Sequence, residues 1–242
     1  GTSWAREAGF DNVGVDLIYG LPGEGLKRWR ASLERVLAWA PEHVSAYALA
    51  VEPGTRLARD VEAGLVRVAD ADLMADMYAL ASEVLARAGF HQYEISNWAR
   101  PGMACWHNLH VWRGGEYLGF GAGAHGLAGG VRYRVVRDPE VYLQRMARGK
   151  RRAFPLSPAA VDARRLSERE LMQEAMFLGL RLTEEGVSAG AFAARFGRDL
   201  WETFGAELDE LLALGLLEGH GDAVRLTPRA RFVSNQVFMR FV

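Results

Sequence analysis

Apolar residues recur at either strand or helix spacing along most of the chain, and the switches between the two periods divide it into elements. Val13 to Gly20, VGVDLIYG, is apolar except for Asp16, the pattern of a parallel strand covered on both faces. From about Glu24 to Trp39, the positions Leu26, Trp29, Leu33, Val36 and Leu37 follow helical spacing, and Pro41 closes the element. A second apolar strand is predicted from His43 to Val51, and Asp70 is placed to cap a helix with Leu73, Met77, Leu80 and Val84 on one face. At Ala8-Gly9-Phe10 and again at Ala88-Gly89-Phe90, a glycine stands where a helix would end in a left-handed cap, and a strand-like run comes next. A helix-to-strand unit used twice predicts β/α architecture. The first of these helices, around Ser3 to Ala8, reads as the last turn of an element whose start lies outside the sequence.

Asp16, Ile18 and Gly20 share one face of the first strand, which runs into Gly20-Leu21-Pro22-Gly23 at its carboxyl end, where α/β folds place ligands. Asp16 is therefore either ligand-facing or a buried carboxylate satisfied by backbone donors, and the pattern alone leaves both readings open. His43, at the opposite end of its strand, reads as a surface or capping residue.

The pattern changes in the second half. Asp138-Pro139 opens a helix with Tyr142, Leu143 and Met146 that runs out in the solvated basic triplet Lys150-Arg151-Arg152, and Pro155 and Pro158 mark a linker. We place a domain boundary there, giving residues 1–150 and 151–242. Ser167 and Glu170 form a capping box, Ser188 caps a second helix through Phe192 and Phe196, and a third runs from Asp199 to about Leu214. The turn Gly219-His220-Gly221-Asp222 makes a hairpin, after which Thr227 caps and Pro228 opens a last helix. This order is winged-helix-like, an arrangement associated with DNA. The third helix, however, carries Asp199, Glu202, Glu207, Asp209 and Glu210 and no Lys or Arg, so a nucleic-acid partner is not expected.

Composition adds limits. With 242 residues, half of them hydrophobic, and a formal charge of -1, the chain has no global pull toward nucleic acid or anionic membranes. A lone cysteine excludes an intramolecular disulfide and fits a reducing compartment. No apolar run approaches the roughly 18 residues needed to span a bilayer, and a cytoplasmic protein is expected.

The chemistry gathers in Tyr93 to Gly126, which holds three of the six histidines, the only cysteine and three of the seven tryptophans. Its Gly-rich end, with Gly121, Gly123 and Gly126, suits either close approach to a ligand or a bulge next to a turn. Five segments in order, GVDLIYGLPGE, YEISNWARPG, HNLHVW, GFGAGAHG and LTPRAR, together resemble the radical S-adenosylmethionine heme chaperones of the HemW type, also labelled oxygen-independent coproporphyrinogen III oxidase-like proteins. The resemblance covers essentially the whole chain.

It implies a partial (β/α)6 barrel of α/β class followed by a winged-helix-like α+β domain. It also implies a chaperone that binds heme or porphyrin and delivers heme to hemoproteins, with oxidation of coproporphyrinogen III as the alternative activity. A peripheral membrane contact and a dimer are left open. The family's CxxxCxxC motif, which holds a [4Fe–4S] cluster and through it S-adenosylmethionine, has no counterpart in this sequence, so radical chemistry is not expected of the chain alone. Without the early barrel strands, an exposed sheet edge is expected.

By the same resemblance, Asp16, Ala50 and His125 lie near S-adenosylmethionine, and the HNxxYW heme motif maps onto His107, Asn108 and Trp112. His107 is the favoured iron ligand, with His110 and Cys105 as alternatives. Neutral imidazole is a good ligand for heme iron, and tryptophans cover an apolar macrocycle. The motif's Tyr is here Val111, which removes a phenol.

Overall fold

The computed structural model describes residues 1–242. The backbone gathers into two compact units: Gly1–Cys105 with Leu182–Glu185 and Pro228–Val233, and Trp106–Arg181 with Gly186–Thr227 and Ser234–Val242.

The first unit contains α1 (Thr2–Glu7), β1 (Gly14–Tyr19), α2 (Leu26–Leu37), β2 (His43–Ala48), α3 (Arg56–Glu62), α4 (Ala71–Arg87), β3 (His91–Glu94) and β4 (Asn97–Ala99). Its sheet has the order β1-β2-β4-β3, with β1 and β2 parallel and the other neighbours antiparallel. Trp29, Leu33 and Val36 of α2 and Met77, Ala81 and Leu85 of α4 form one buried cluster with Val44, Ala46 and Trp98 of the sheet. The Trp29 indole N–H donates to the Met77 carbonyl at 2.9 Å, so this large aromatic is buried without leaving a polar atom unpaired. The predicted punctuation is present. Asp70 accepts from the Leu73 amide at 2.9 Å, Gly9 and Gly89 take φ of +89° and +85°, and the Phe90 amide reaches back to the Leu85 carbonyl at 3.0 Å.

Three expectations are corrected. β1 is covered on one face only: Tyr19 is buried and Val15 and Leu17 pack toward the helices, whereas Gly14, Asp16 and Ile18 stand on the exposed face. An apolar run predicts burial on both sides, but α2 and α4 pack against just one. β2 ends at Ala48 rather than Val51. His43 is buried, with Nε2 2.8 Å from the Tyr93 hydroxyl, which gives its ring a polar partner inside the protein.

Burial pushes the His43 imidazole below its ordinary value, against an opposing pull from Asp16 and Glu94. As the pH falls, the unfolded chain therefore takes up this proton before the folded one does. The contribution is complete above the ordinary imidazole pKa of about 6.5 and is lost as pH drops below it toward the folded value. Thermal unfolding between about pH 8 and about pH 5 should show this decline, and His43→Gln should flatten it. Parallel pH profiles for the two proteins would refute the assignment.

YEISNW forms an antiparallel strand pair. β3 and β4 fold back at Ile95-Ser96, where the buried Glu94 carboxylate accepts from the Ser96 amide at 2.7 Å and from the Asn97 side-chain amide.

The second unit contains α5 (Trp106–Trp112), β5 (His125–Ala128), β6 (Val131–Val135), α6 (Pro139–Arg148), β7 (Ala160–Arg165), α7 (Glu168–Gly179), β8 (Val187–Ser188), α8 (Ala189–Phe196), α9 (Leu200–Ala213), β9 (Leu217–His220), β10 (Ala223–Leu226) and α10 (Ser234–Phe238). Its two antiparallel sheets have the orders β5-β6-β7 and β8-β10-β9. The contacts cut the chain near Cys105, whereas the sequence division falls at 150. The β5–β6 hairpin hydrogen-bonds to β7, beyond the proline-marked segment, and this pairing joins 106–150 to the carboxyl-terminal helices and strands.

The Ser167–Glu170 capping box and the Asp138, Ser188 and Asp199 caps are all formed. Phe204 is buried edge-on against Phe192 and Phe241, and the helical dihedrals of α9 break at Phe204, next to Gly205. Thr227 does not cap the turn that Pro228 opens. Its hydroxyl donates to the Gly215 carbonyl at 3.0 Å, and Pro228–Val233 winds as a 3-10 helix.

Candidate functional site

The HNLHVW segment is helical. On the seven-residue α5, His107 and Val111 fall one turn apart on one face, and Asn108 and Trp112 on the next. Trp106 is 88% exposed, and His107 is exposed beside it, while Trp112 is half-buried with the Arg181 guanidinium 4.3 Å above its ring. The histidines separate by environment. His110 places Nε2 2.7 Å from the Glu116 carbonyl, and its ring fills the space where a Cβ on Gly115 would sit, at 2.4 Å. That ring nitrogen is therefore occupied in holding the turn after α5. His107 carries no such tie, and its imidazole is open to a ligand. Cys105 is partly buried just before the helix.

Under α5 lies a cavity of about 330 Å³ whose wall includes Val111, Trp112, Tyr117, His125, Arg132 and Glu174. Arg132 and Glu174 form a two-pronged ion pair, with Nη2 to Oε2 at 2.9 Å. Tyr117 is fixed by a backbone pair with Leu127, at 2.7 and 2.9 Å. A phenol therefore lines the same cavity as Val111, although Val111 itself has none. Local spacing carries no signal for this, because the Tyr117–Leu127 bridge is made by the fold.

Asp16 is exposed on β1, in register with Ser45 of β2, and lies in the wall of a groove of about 820 Å³ along α1 and the β1 edge. Ala50 is exposed just past the end of β2. His125 opens β5 and is exposed. Of the three residues that the family resemblance groups together, Asp16 and Ala50 thus belong to the first unit and His125 to the second. In the Gly-rich run, Gly121 and Gly123 occupy left-handed turn positions, whereas Gly126 lies under the Tyr133 ring, where a Cβ would come within 2.3 Å. No three His, Cys, Asp or Glu side chains converge as a metal site. The donor set at α5 is one open imidazole, which suits an axial ligand to a porphyrin iron, and one cysteine cannot hold an iron–sulfur cluster.

The chain's similarities to known proteins run along its whole length. A family profile described as the HemN C-terminal domain matches residues 166–233. Heme chaperone HemW of Bacillus subtilis is 39% identical over 238 residues, covering 98% of this chain and 61% of the relative. Heme chaperone HemW of Mycobacterium tuberculosis is 39% identical over 229 residues, covering 95% and 55%. The mitochondrial radical S-adenosyl methionine domain-containing protein 1 of Danio rerio is 36% identical over 193 residues, covering 75% and 41%. The chain thus spans less than two thirds of the length of these relatives. Among solved structures, coproporphyrinogen III oxidase (HemN) from Escherichia coli, described as a radical SAM enzyme, superposes with a TM-score of 0.76 over 99% of this chain and 57% of that one, at 18% identity. At this identity the likeness establishes the α/β fold alone.

Proposed function

We propose, from the premise that this chain belongs to the HemW family of radical S-adenosylmethionine proteins, that it forms the heme-holding part of a heme chaperone that passes heme to hemoproteins. The observation that carries the reading is the open His107 imidazole on α5, next to the exposed Trp106 indole. An imidazole free of protein partners can take an axial position on heme iron, and an exposed indole offers a flat apolar surface to the ring. Asn108 and Trp112, on the adjoining helix face, complete the heme-facing set. A carrier must also release its cargo, and a ligand on a short, solvent-facing helix leaves heme accessible to a recipient.

Asp16, Ala50 and His125 are proposed to face S-adenosylmethionine in the longer protein, where the [4Fe–4S] cluster would supply radical chemistry when bound. This chain has one cysteine, so its residues do not fit the cluster. Coproporphyrinogen III oxidation is the weaker reading, because the likeness to that enzyme is one of fold, whereas the relatives at 39% identity are named heme chaperones. DNA binding is disfavoured because α9 turns Glu202, Asp209 and Glu210 to solvent. A cytoplasmic setting belongs to the same proposal. No helix is long and apolar enough to cross a membrane.

Titration of the chain with hemin, followed at the Soret band, tests the reading. Wild type should bind, and His107→Ala should bind more weakly by more than the ~10-fold to 100-fold typical of losing only an outer-shell partner. Equal binding by both proteins would remove His107 as the ligand. Failure of wild type to bind would remove the heme-holding function from this chain.

A further inference from the structure

We propose that the cavity beneath α5 is a carboxylate pocket, in which the Tyr117 hydroxyl, the His125 imidazole and the Arg132 guanidinium are the donors and Trp112 and Phe177 supply aromatic walls. The first argument is an inventory of donors and acceptors. Glu174 is the one carboxylate in the wall, and Arg132 occupies both of its oxygens. That ion pair uses two of the five guanidinium N–H groups and leaves the rest available. Tyr117 and His125 add a hydroxyl and a ring nitrogen, and the Trp112 indole N–H is buried with no acceptor in the protein. The spare Arg132 N–H groups can only donate, and the Tyr117 hydroxyl and the His125 ring can donate beside them, so the wall suits a ligand that accepts, and an ionised carboxylate is a common organic group of that kind.

The second argument is rigidity. Tyr117 is held by its reciprocal backbone pair with Leu127, and His125 by its strand pairing opposite Arg134. These pairings fix the backbone that carries Tyr117 and His125, and the ion pair with Glu174 holds the Arg132 guanidinium, which lowers the ordering cost of binding. The third argument is size. At about 330 Å³, the space is at the lower end of the ~300–1,000 Å³ usual for ligand pockets. It fits a carboxylate-terminated arm rather than a whole macrocycle.

Two ligands of the proposed function carry such an arm: a porphyrin, through its propionates, and S-adenosylmethionine, through its amino-acid end. In this respect the inference rests on that reading. Tyr117→Phe removes the hydroxyl and keeps the ring, and His125→Ala on the exposed imidazole is the second variant, used if the first does not fold by circular dichroism. Soret titrations with hemin and with hemin dimethyl ester form one arm. Calorimetry with S-adenosylhomocysteine and with its methyl ester forms the other.

If a propionate enters the pocket, Tyr117→Phe weakens hemin by about tenfold and leaves the diester unchanged. If the amino-acid carboxylate enters, the same selective loss appears with S-adenosylhomocysteine and not with its ester. Acid and ester falling together, or neither changing in either arm, overturns the pocket. Hemin failing to bind wild type removes the heme reading and leaves the pocket to be judged on the second arm, and absence of binding in both arms overturns it.

Discussion

Trp29→Ala is expected to destabilise the first unit by about 3–5 kcal/mol, as for other fully buried large aromatics cut back to Ala. Trp29 is 1% exposed and lies among Leu33, Val36, Met77 and Ala81 where α2 meets α4. Its ring lies 5.6 Å from that of Tyr19, which ties the helix layer to β1. The truncation opens a cavity and also leaves the Met77 carbonyl without its indole donor. Trp29→Phe should recover most of the loss, short of roughly 1 kcal/mol for that hydrogen bond. Urea unfolding with linear extrapolation measures both. A loss under about 1 kcal/mol for the Ala variant would show that this layer does not depend on the tryptophan.

Gly119→Ala should cost about 2–3 kcal/mol, at the upper end of what overpacking usually costs. A Cβ at this position would lie 2.2 Å from the His125 carbonyl oxygen and 2.6 Å from its carbon, and backbone cannot swing aside as a side chain can. Relief requires β5 to move, which also strains the bond from the Gly119 amide to the Tyr133 hydroxyl at 3.1 Å. Because His125 is displaced directly, ligand binding in the cavity beneath α5 should weaken along with stability. Gly219→Ala is the control: a Cβ there meets nothing within 4 Å. Similar melting temperatures for the two variants would contradict the packing described for the Gly-rich run.

Some features of this protein are legible residue by residue, and others are not. Caps are legible because each is made among neighbours in sequence: Asp70 with Leu73, Ser167 with Glu170, Gly89 with Phe90. The helix faces of α2 and α4 are legible because apolar spacing reports the side to be buried. The same signal misjudges β1, since an apolar run states that a strand can be covered on two faces but not whether elements are present to cover both. It also misjudges His43, which is buried against Tyr93, fifty residues away. β7, Ala160–Arg165, includes Asp162, Arg164 and Arg165 and has no apolar alternation to mark it. Its strand character comes from pairing with β6 rather than from its own pattern.

For the candidate site, the sequence by itself determined the residue types on offer: the His-Asn-Leu-His-Val-Trp string, the single cysteine among these 242 residues, and the exception at Val111. Those are properties of composition and order, and no fold can change them. Only the tertiary structure decided how they are used. It wound the string into α5, bound His110 to Glu116 while leaving His107 open, and brought Tyr117, His125 and Arg132 to one cavity with Val111. The physical reason is that a side chain's availability depends on which donors, acceptors and surfaces surround it, and those come from strands and helices distant in sequence.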